Sequence, residues 1–186
     1  MSFEIKKLTS DLKEDYLSFF ESVEFSEHPH WADCYCYSFH FTGRTEEWQR
    51  DRNRSCVSDM IDKGSMKGYL AYHKGRVVGW CNANNRLNYQ LLTQTYELKD
   101  PDHTKICSIV CFLVHQDFRR QGIMQLLLEK IVNDYSSLQY DYLEAYPRSE
   151  ETSTEKLYRG PLDFYTSNGF ELIREGENLH TVRRKL

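Results

Sequence analysis

Along this chain the apolar positions cluster in some segments, alternate with polar ones in others, and elsewhere recur at helical spacing. From Ile106 to Val114 (ICSIVCFLV) they form an almost unbroken run, the pattern of a strand buried on both faces. A short polar stretch, His115 to Gly122, follows. Beyond it Ile123, Leu126, Leu127, Ile131, Val132 and Tyr135 fall along one face of a helix. Near the start, Phe3 to Leu8 alternates as a first strand. Ser10 or Asp11 then caps a helix whose face is Leu12, Tyr16, Leu17, Phe20 and Val23. Thr45 opens a second helix through about Lys63, with Trp48, Val57, Met60 and Ile61 as its buried positions and Gly64 as its stop.

Gly68 to His73 and Arg76 to Asn82, joined by Lys74-Gly75, predict a hairpin. Asn84 to Thr104 is polar and Tyr-bearing, and reads as either a lid or an extended hairpin loop. Tyr140 to Tyr146 is a short strand, and Pro147 to Gly160 a charged loop. Pro161 then sits at the favoured first turn of a short helix that Asn168-Gly169 ends. Phe170 to Arg174 and Leu179 to Lys185 close the sheet as an antiparallel pair around Glu175-Gly176-Glu177-Asn178. Strands and helices interleave without repeat, low-complexity tract or linker. The expectation is therefore one α/β domain over residues 1–186.

Glu24 to Gly43 breaks the periodicity. It is too aromatic for a disordered linker, and a long ordered loop in a compact domain is more often functional than idle. The formal net charge of -4 argues against a general nucleic-acid binder. No apolar run approaches membrane-spanning length and the N-terminal stretch lacks a signal-peptide core, so no membrane association and a cytoplasmic location are expected. The six Cys frame no short loops and read as reduced thiols.

The polar stretch after the buried strand carries the chemistry. A strand that feeds a helix through a turn, with Gly at the helix mouth, gathers unpaired backbone N–H groups at one point. The helix dipole adds positive potential there, which makes the turn an anion site. Its residues, Arg119-Arg120-Gln121-Gly122-Ile123-Met124, resemble the (Arg/Gln)-x-x-Gly-x-(Gly/Ala) signature of the GNAT acetyltransferases, with Met124 where the family prefers Gly or Ala. Val114-His115-Gln116-Asp117-Phe118-Arg119 resembles the approach to that signature. Tyr165-Thr166-Ser167-Asn168-Gly169-Phe170 resembles the Tyr-x-x-x-Gly-Phe end of the family's last helix, and the hairpin its second and third strands.

The resemblance implies a central mixed, mostly antiparallel sheet flanked by helices, whose fourth and fifth strands splay apart. Here those strands would be Ile106–Val114 and Tyr140–Tyr146. It implies acetyl-CoA as cosubstrate, its pantetheine paired with backbone at Phe112, Leu113 and Val114. Gln121, Gly122, Ile123 and Met124 would hold the pyrophosphate through main-chain N–H groups, with charge from Arg119 and Arg120. The Val114 N–H is the natural oxyanion donor. Tyr165 is the expected proton donor to the departing thiolate, a phenol of pKa near ~10 being close to it in basicity. Glu144, a carboxylate in an apolar strand, is the candidate base. His115 is expected to face solvent.

For the acceptor, a small-molecule or peptide primary amine, Trp31, Tyr35 and Tyr37 offer cation–π walls and Asp33 a charge. Two alternatives stand beside N-acetyl transfer. One is a GNAT-fold acyl-CoA binder without acetyl turnover, which Met124 keeps open. The other is a metal-binding interaction module built on His28, His30, Cys34, Cys36 and His40, although that spacing departs from the usual zinc pattern and no metal is expected. Monomer and homodimer are equally compatible with the sequence.

Overall fold

A computed structural model of the chain describes residues 2–22, 29–95, 100–101, 103–149 and 158–186. Seven strands form one sheet: β1 (Glu4–Lys7), β2 (Gly68–His73), β3 (Arg76–Asn85), β4 (Ile106–Val114), β5 (Tyr142–Ala145), β6 (Glu171–Arg174) and β7 (Thr181–Lys185). Their order is β1-β2-β3-β4-β5-β7-β6. All neighbours are antiparallel except β4 and β5, which run parallel because α4 (Ile123–Ser137) carries the chain back between them. The fold is the α/β arrangement that the resemblance implies.

One face of the sheet is packed by α4. Ile123, Leu127, Leu128 and Ile131 lie there against Ala71, Ile109, Phe112 and Ala145. The opposite face carries α1 (Lys13–Ser22) and α2 (Arg50–Asp62), with Tyr16, Leu17, Phe20, Val57 and Ile61 packed on Leu70, Trp80 and Leu113. A third cluster, Phe39, Tyr89, Leu92, Val110 and Tyr146, fills the same side nearer β5.

The feature that shapes the site lies in β4. Its register with β3 passes from Ala83↔Ile109 to Asn82↔Cys111, leaving Val110 as an extra residue. Such a bulge bends the strand and increases its twist. On the other edge β5 pairs only with Ile106 to Ile109 and ends at Ala145, with Pro147 soon after. From Val110 onward β4 is bonded to β3 alone. The two parallel strands therefore diverge, and the β5-facing edge of Phe112 to Val114 lies open.

Several boundaries differ from the sequence expectation, each for a local reason. The first helix begins as a 3-10 turn, Ser10–Leu12, before α1. The second likewise begins as Thr45–Glu47, and α2 starts only at Arg50. Trp48 leaves the helical path there, with its ring stacked on Tyr37 at 6.3 Å and edge-on to Phe41 at 5.1 Å. β3 runs on to Asn85 because its asparagines are satisfied. Asn82 Oδ1 accepts from the Tyr89 hydroxyl at 2.6 Å, and Asn84 Nδ2 donates to the Ser65 carbonyl at 3.1 Å. The connection after it holds a 3-10 turn, Arg86–Asn88, and the short helix α3 (Gln90–Thr95). Tyr89 and Leu92 anchor that stretch in the core, so it is not a free lid. The strand expected over Tyr140 to Tyr146 is shorter, Tyr142–Ala145. Val23 and His28 lie outside the described residues.

Candidate active site

The turn between β4 and α4 is built by its own polar side chains. His115 is 6 % exposed rather than facing solvent. Its Nδ1 accepts from the Asp117 N–H at 3.3 Å, and its Nε2 lies 3.0 Å from an Arg76 nitrogen. Gln121 Nε2 donates to the Asp117 carbonyl at 3.0 Å, bracing the loop from behind. Arg120 (φ 59°) and Gly122 (φ 80°) both adopt left-handed backbone. That alternation turns successive N–H groups to one side, the geometry of an anion nest. The N–H groups that open α4 have no intrahelical partner and point the same way. A Cβ at Gly122 would meet nothing within 4 Å, so the concavity lies open.

A cleft of about 570 Å³ runs from this turn along the open edge of β4. β4 contributes Phe112, Leu113 and Val114. The turn contributes Phe118, Arg119 and Arg120, and the start of α4 Gly122, Ile123, Met124 and Gln125. The opposite wall is Trp31, Tyr158, Pro161 and Phe164, the last at the start of α5 (Leu162–Ser167). Of the residues expected to hold acetyl-CoA, all line the cleft except Gln121, whose side chain is the brace just described. An apolar channel that ends in two arginines and a helix N-terminus suits a pantetheine arm and its pyrophosphate. The residues present fit that group.

The structure places the expected catalytic residues less directly. Tyr165 is fully buried one layer behind the cleft, against Phe112, Phe164 and Phe170, and its hydroxyl donates to the Arg159 carbonyl at 2.7 Å. Burial pushes this phenol well above its usual range, so it keeps its proton at neutral pH. Gly160 makes the packing possible. Its φ is 77°, and a Cβ there would stand 2.9 Å from Tyr165 Cε2. Gly160→Ala is expected to cost about 1–3 kcal/mol in urea denaturation, from left-handed strain and the clash together. A loss under about 0.5 kcal/mol would mean that ring and loop move freely.

Glu144, expected as the base, is not brought to the cleft. It is 3 % exposed, and its carboxylate accepts from Arg183 Nε at 3.0 Å, from Arg86 at 3.4 Å and from the Tyr146 hydroxyl at 2.6 Å. Asp100 binds the same two arginines. Both oxygens of Glu144 are engaged in this network, which ties β5 to β7 and to the segment after β3.

The four expected acceptor residues disperse. Trp31 lines the cleft, edge-on to Tyr158 at 5.1 Å. Asp33 gives its carbonyl to Asn53 Nδ2 at 2.8 Å. Tyr35 is a core residue beside Phe20, and Tyr37 belongs to the Trp48 stack. Among the described residues no group of three or more His, Cys, Asp or Glu side chains is placed to hold a metal ion. Burial pushes the Cys34 thiol up and the His40 imidazole down to about 4.

Tyr158 and Phe164 were not anticipated. Tyr158 sits at the end of an aperiodic charged stretch, where hydrophobic spacing gives no signal. The Gly160-Pro161 pair beside it does mark a fixed turn.

Comparison with known proteins agrees with this geometry. The family model described as Acetyltransferase (GNAT) family matches residues 9–164, and the chain belongs to that family. Its members use acetyl-CoA. No curated protein matches the sequence. Among solved structures, PaiA N-acetyltransferase of Thermoplasma acidophilum, in complex with coenzyme A, is similar at a TM-score of 0.59 and 11% identity, with 100% of each chain covered. A polyamine N-acetyltransferase of Drosophila melanogaster is similar at 0.64 and 13%, again over 100% of each. Ard1 of Thermoplasma volcanium is similar at 0.59 and 15%, over 100% of this chain and 99% of that one. At such identities the likeness is one of fold. No described helix is long and apolar enough to cross a membrane.

Proposed function

We propose that the chain transfers the acetyl group of acetyl-CoA to a primary amine by direct attack on the thioester. The observation that carries this reading is the continuous cleft joining the left-handed turn at Arg120 and Gly122 to the unpaired edge of Phe112 to Val114. Arg119, Arg120 and the N–H groups from Gln121 to Met124 hold the pyrophosphate, and β4 backbone holds the pantetheine. Acetyl-CoA supplies the activated acyl group.

The remaining work belongs to the chain. The amine nitrogen forms the new N–C bond as the C–S bond breaks. The nitrogen's proton passes to water in the cleft, because Glu144 is fully engaged elsewhere. The Val114 N–H faces the charge that builds on the acyl oxygen. Tyr165 gives a proton to the sulfur as the C–S bond breaks, and water in the cleft restores it.

The test is an acetyl-CoA thermal shift followed by free-thiol release with a panel of amines; no shift ends the proposal. Tyr165→Phe is expected to lower kcat by roughly 10²–10⁴ and leave acetyl-CoA affinity nearly unchanged. Unchanged turnover, with the loss appearing in Tyr158→Phe instead, would move the role to the phenol that lines the cleft. A second reading, binding of an acyl-CoA without acetyl turnover, is favoured by Met124, whose side chain lines the cleft where the family prefers Gly or Ala. A shift with no thiol release from any amine would select it.

A further inference from the structure

Two arginines adjoin the cleft with no carboxylate paired to either among the described residues. Arg148 Nη2 and Arg159 Nε each donate to the hydroxyl of Tyr158, both at 3.4 Å, so the two guanidinium groups converge on one neutral oxygen. Arg148 Nε and Arg159 Nη1 are screened from solvent and have no partner among the described residues. The Arg159 guanidinium carbon sits over the Phe39 ring, 4.6 Å from its centroid. Arg86 and Arg183 are treated differently, since both meet the carboxylates of Asp100 and Glu144. Leaving buried guanidinium N–H groups unsatisfied is costly, and a pair of like charges adds to that cost.

Position says what these groups are for. Tyr158, which both arginines touch, is itself a wall of the cleft together with Trp31. Phe39, beneath Arg159, lies in the cluster with Tyr146 and Val110, on the sheet face away from α4 and its pyrophosphate turn. The pair thus adjoins the cleft through Tyr158, at the wall that Trp31 shares, on the sheet face opposite the turn before α4. We infer that Arg148 and Arg159 form a carboxylate-binding site, and that the acceptor is a small amino acid whose amine and carboxylate are only a few bonds apart.

This rests on the acetyl-transfer reading above and narrows it. A guanidinium presents parallel N–H donors at the spacing of carboxylate oxygens, and two such forks can take both oxygens at once. With the carboxylate held there, the amine of the same molecule reaches past Tyr158 toward the thioester. A diamine or polyamine would bring a second cation against two fixed positive charges, which selects against it.

The test compares the twenty L-amino acids with their decarboxylated counterparts, such as phenethylamine for phenylalanine and cadaverine for lysine. Free-thiol release is followed, with mass spectrometry of the acetylated product. The expected result is acetylation of one or more amino acids, with kcat/KM roughly 100-fold or more above that of the matching amine. Arg148→Gln and Arg159→Gln should each raise KM for that amino acid by at least roughly tenfold, with the acetyl-CoA thermal shift intact as proof of folding. Arg159→Lys, which keeps the charge and loses the fork, should fall between wild type and Gln. The inference is overturned if decarboxylated amines serve as well as amino acids, if no amino acid is acetylated while acetyl-CoA still binds, or if neither Gln variant moves KM. A wild-type protein that shows no acetyl-CoA shift at all would instead end the reading on which the inference rests.

Discussion

Gly122→Glu should fold and lose acetyl-CoA. Gly122 occupies left-handed backbone at the mouth of α4, where a non-glycine residue costs about 1–2 kcal/mol, a penalty a protein of this size survives. The new side chain would project into open space at the pyrophosphate end of the cleft, because nothing lies within 4 Å of a Cβ there. It would set a carboxylate where the nest gathers backbone donors and where Arg119 and Arg120 supply charge. The ligand's phosphates would then meet repulsion in place of attraction. The measurement is the thermal shift with acetyl-CoA, which for the wild type at 100 times Kd corresponds to about 2.7 kcal/mol of stabilisation. No shift is expected in the variant. Gly122→Ala separates backbone strain from charge, since its methyl group fills only empty space and should retain most of the affinity. A Gly122→Glu protein that bound acetyl-CoA normally would place the pyrophosphate somewhere other than this turn.

The second large effect is on stability. Glu144→Ala should lower the free energy of unfolding by about 3 kcal/mol, the lower end of the range for breaking a buried ion pair. Removing the carboxylate takes one partner from Arg183, one from Arg86 and the acceptor from the Tyr146 hydroxyl, while Asp100 still neutralises part of the cluster. Urea denaturation should report the loss as a lower midpoint with an unchanged slope. A change under about 1 kcal/mol would mean that water replaces the carboxylate easily. Acid should weaken the same cluster. Hydrogen bonds from Arg183, and then from Arg86, hold the Asp100 carboxyl below its ordinary range. Its folded pKa is therefore the lower one. The stability it contributes is present above the unfolded value of about 3.9 and is lost as pH falls through the folded one.

Much of this architecture could be read from residue order alone. The bounds of β4 and the start of α4 followed from an apolar run that changes to helical spacing at Gly122, because burial on two faces and burial on one leave different periods. The turn between them was legible for the same reason, being a short polar interruption between two strong patterns. The acceptor side was not. Tyr35 and Tyr37 look alike in an aromatic loop, yet one enters the core and the other stacks on Trp48. Only packing against α1 and the start of α2 decides between them. Glu144 was misplaced because its partners, Arg183, Arg86 and Asp100, are far away in the sequence, and a carboxylate in an apolar strand looks the same whether it is paired or free. Tyr158 and the arginines around it lay in a stretch with no period at all.

The extra residue in β4 has a consequence for how this chain can change. Up to Ile109 the odd-numbered side chains turn toward α4. Past Val110 the even-numbered ones, Phe112 and Val114, do so. Loss of Val110 would let Cys111 follow Ile109 in plain alternation, with Phe112 and Val114 still turned toward α4 and each partner on β3 kept. What would go is the bend that parts β4 from β5, so the strand can shed this residue and keep its core only by narrowing the cleft.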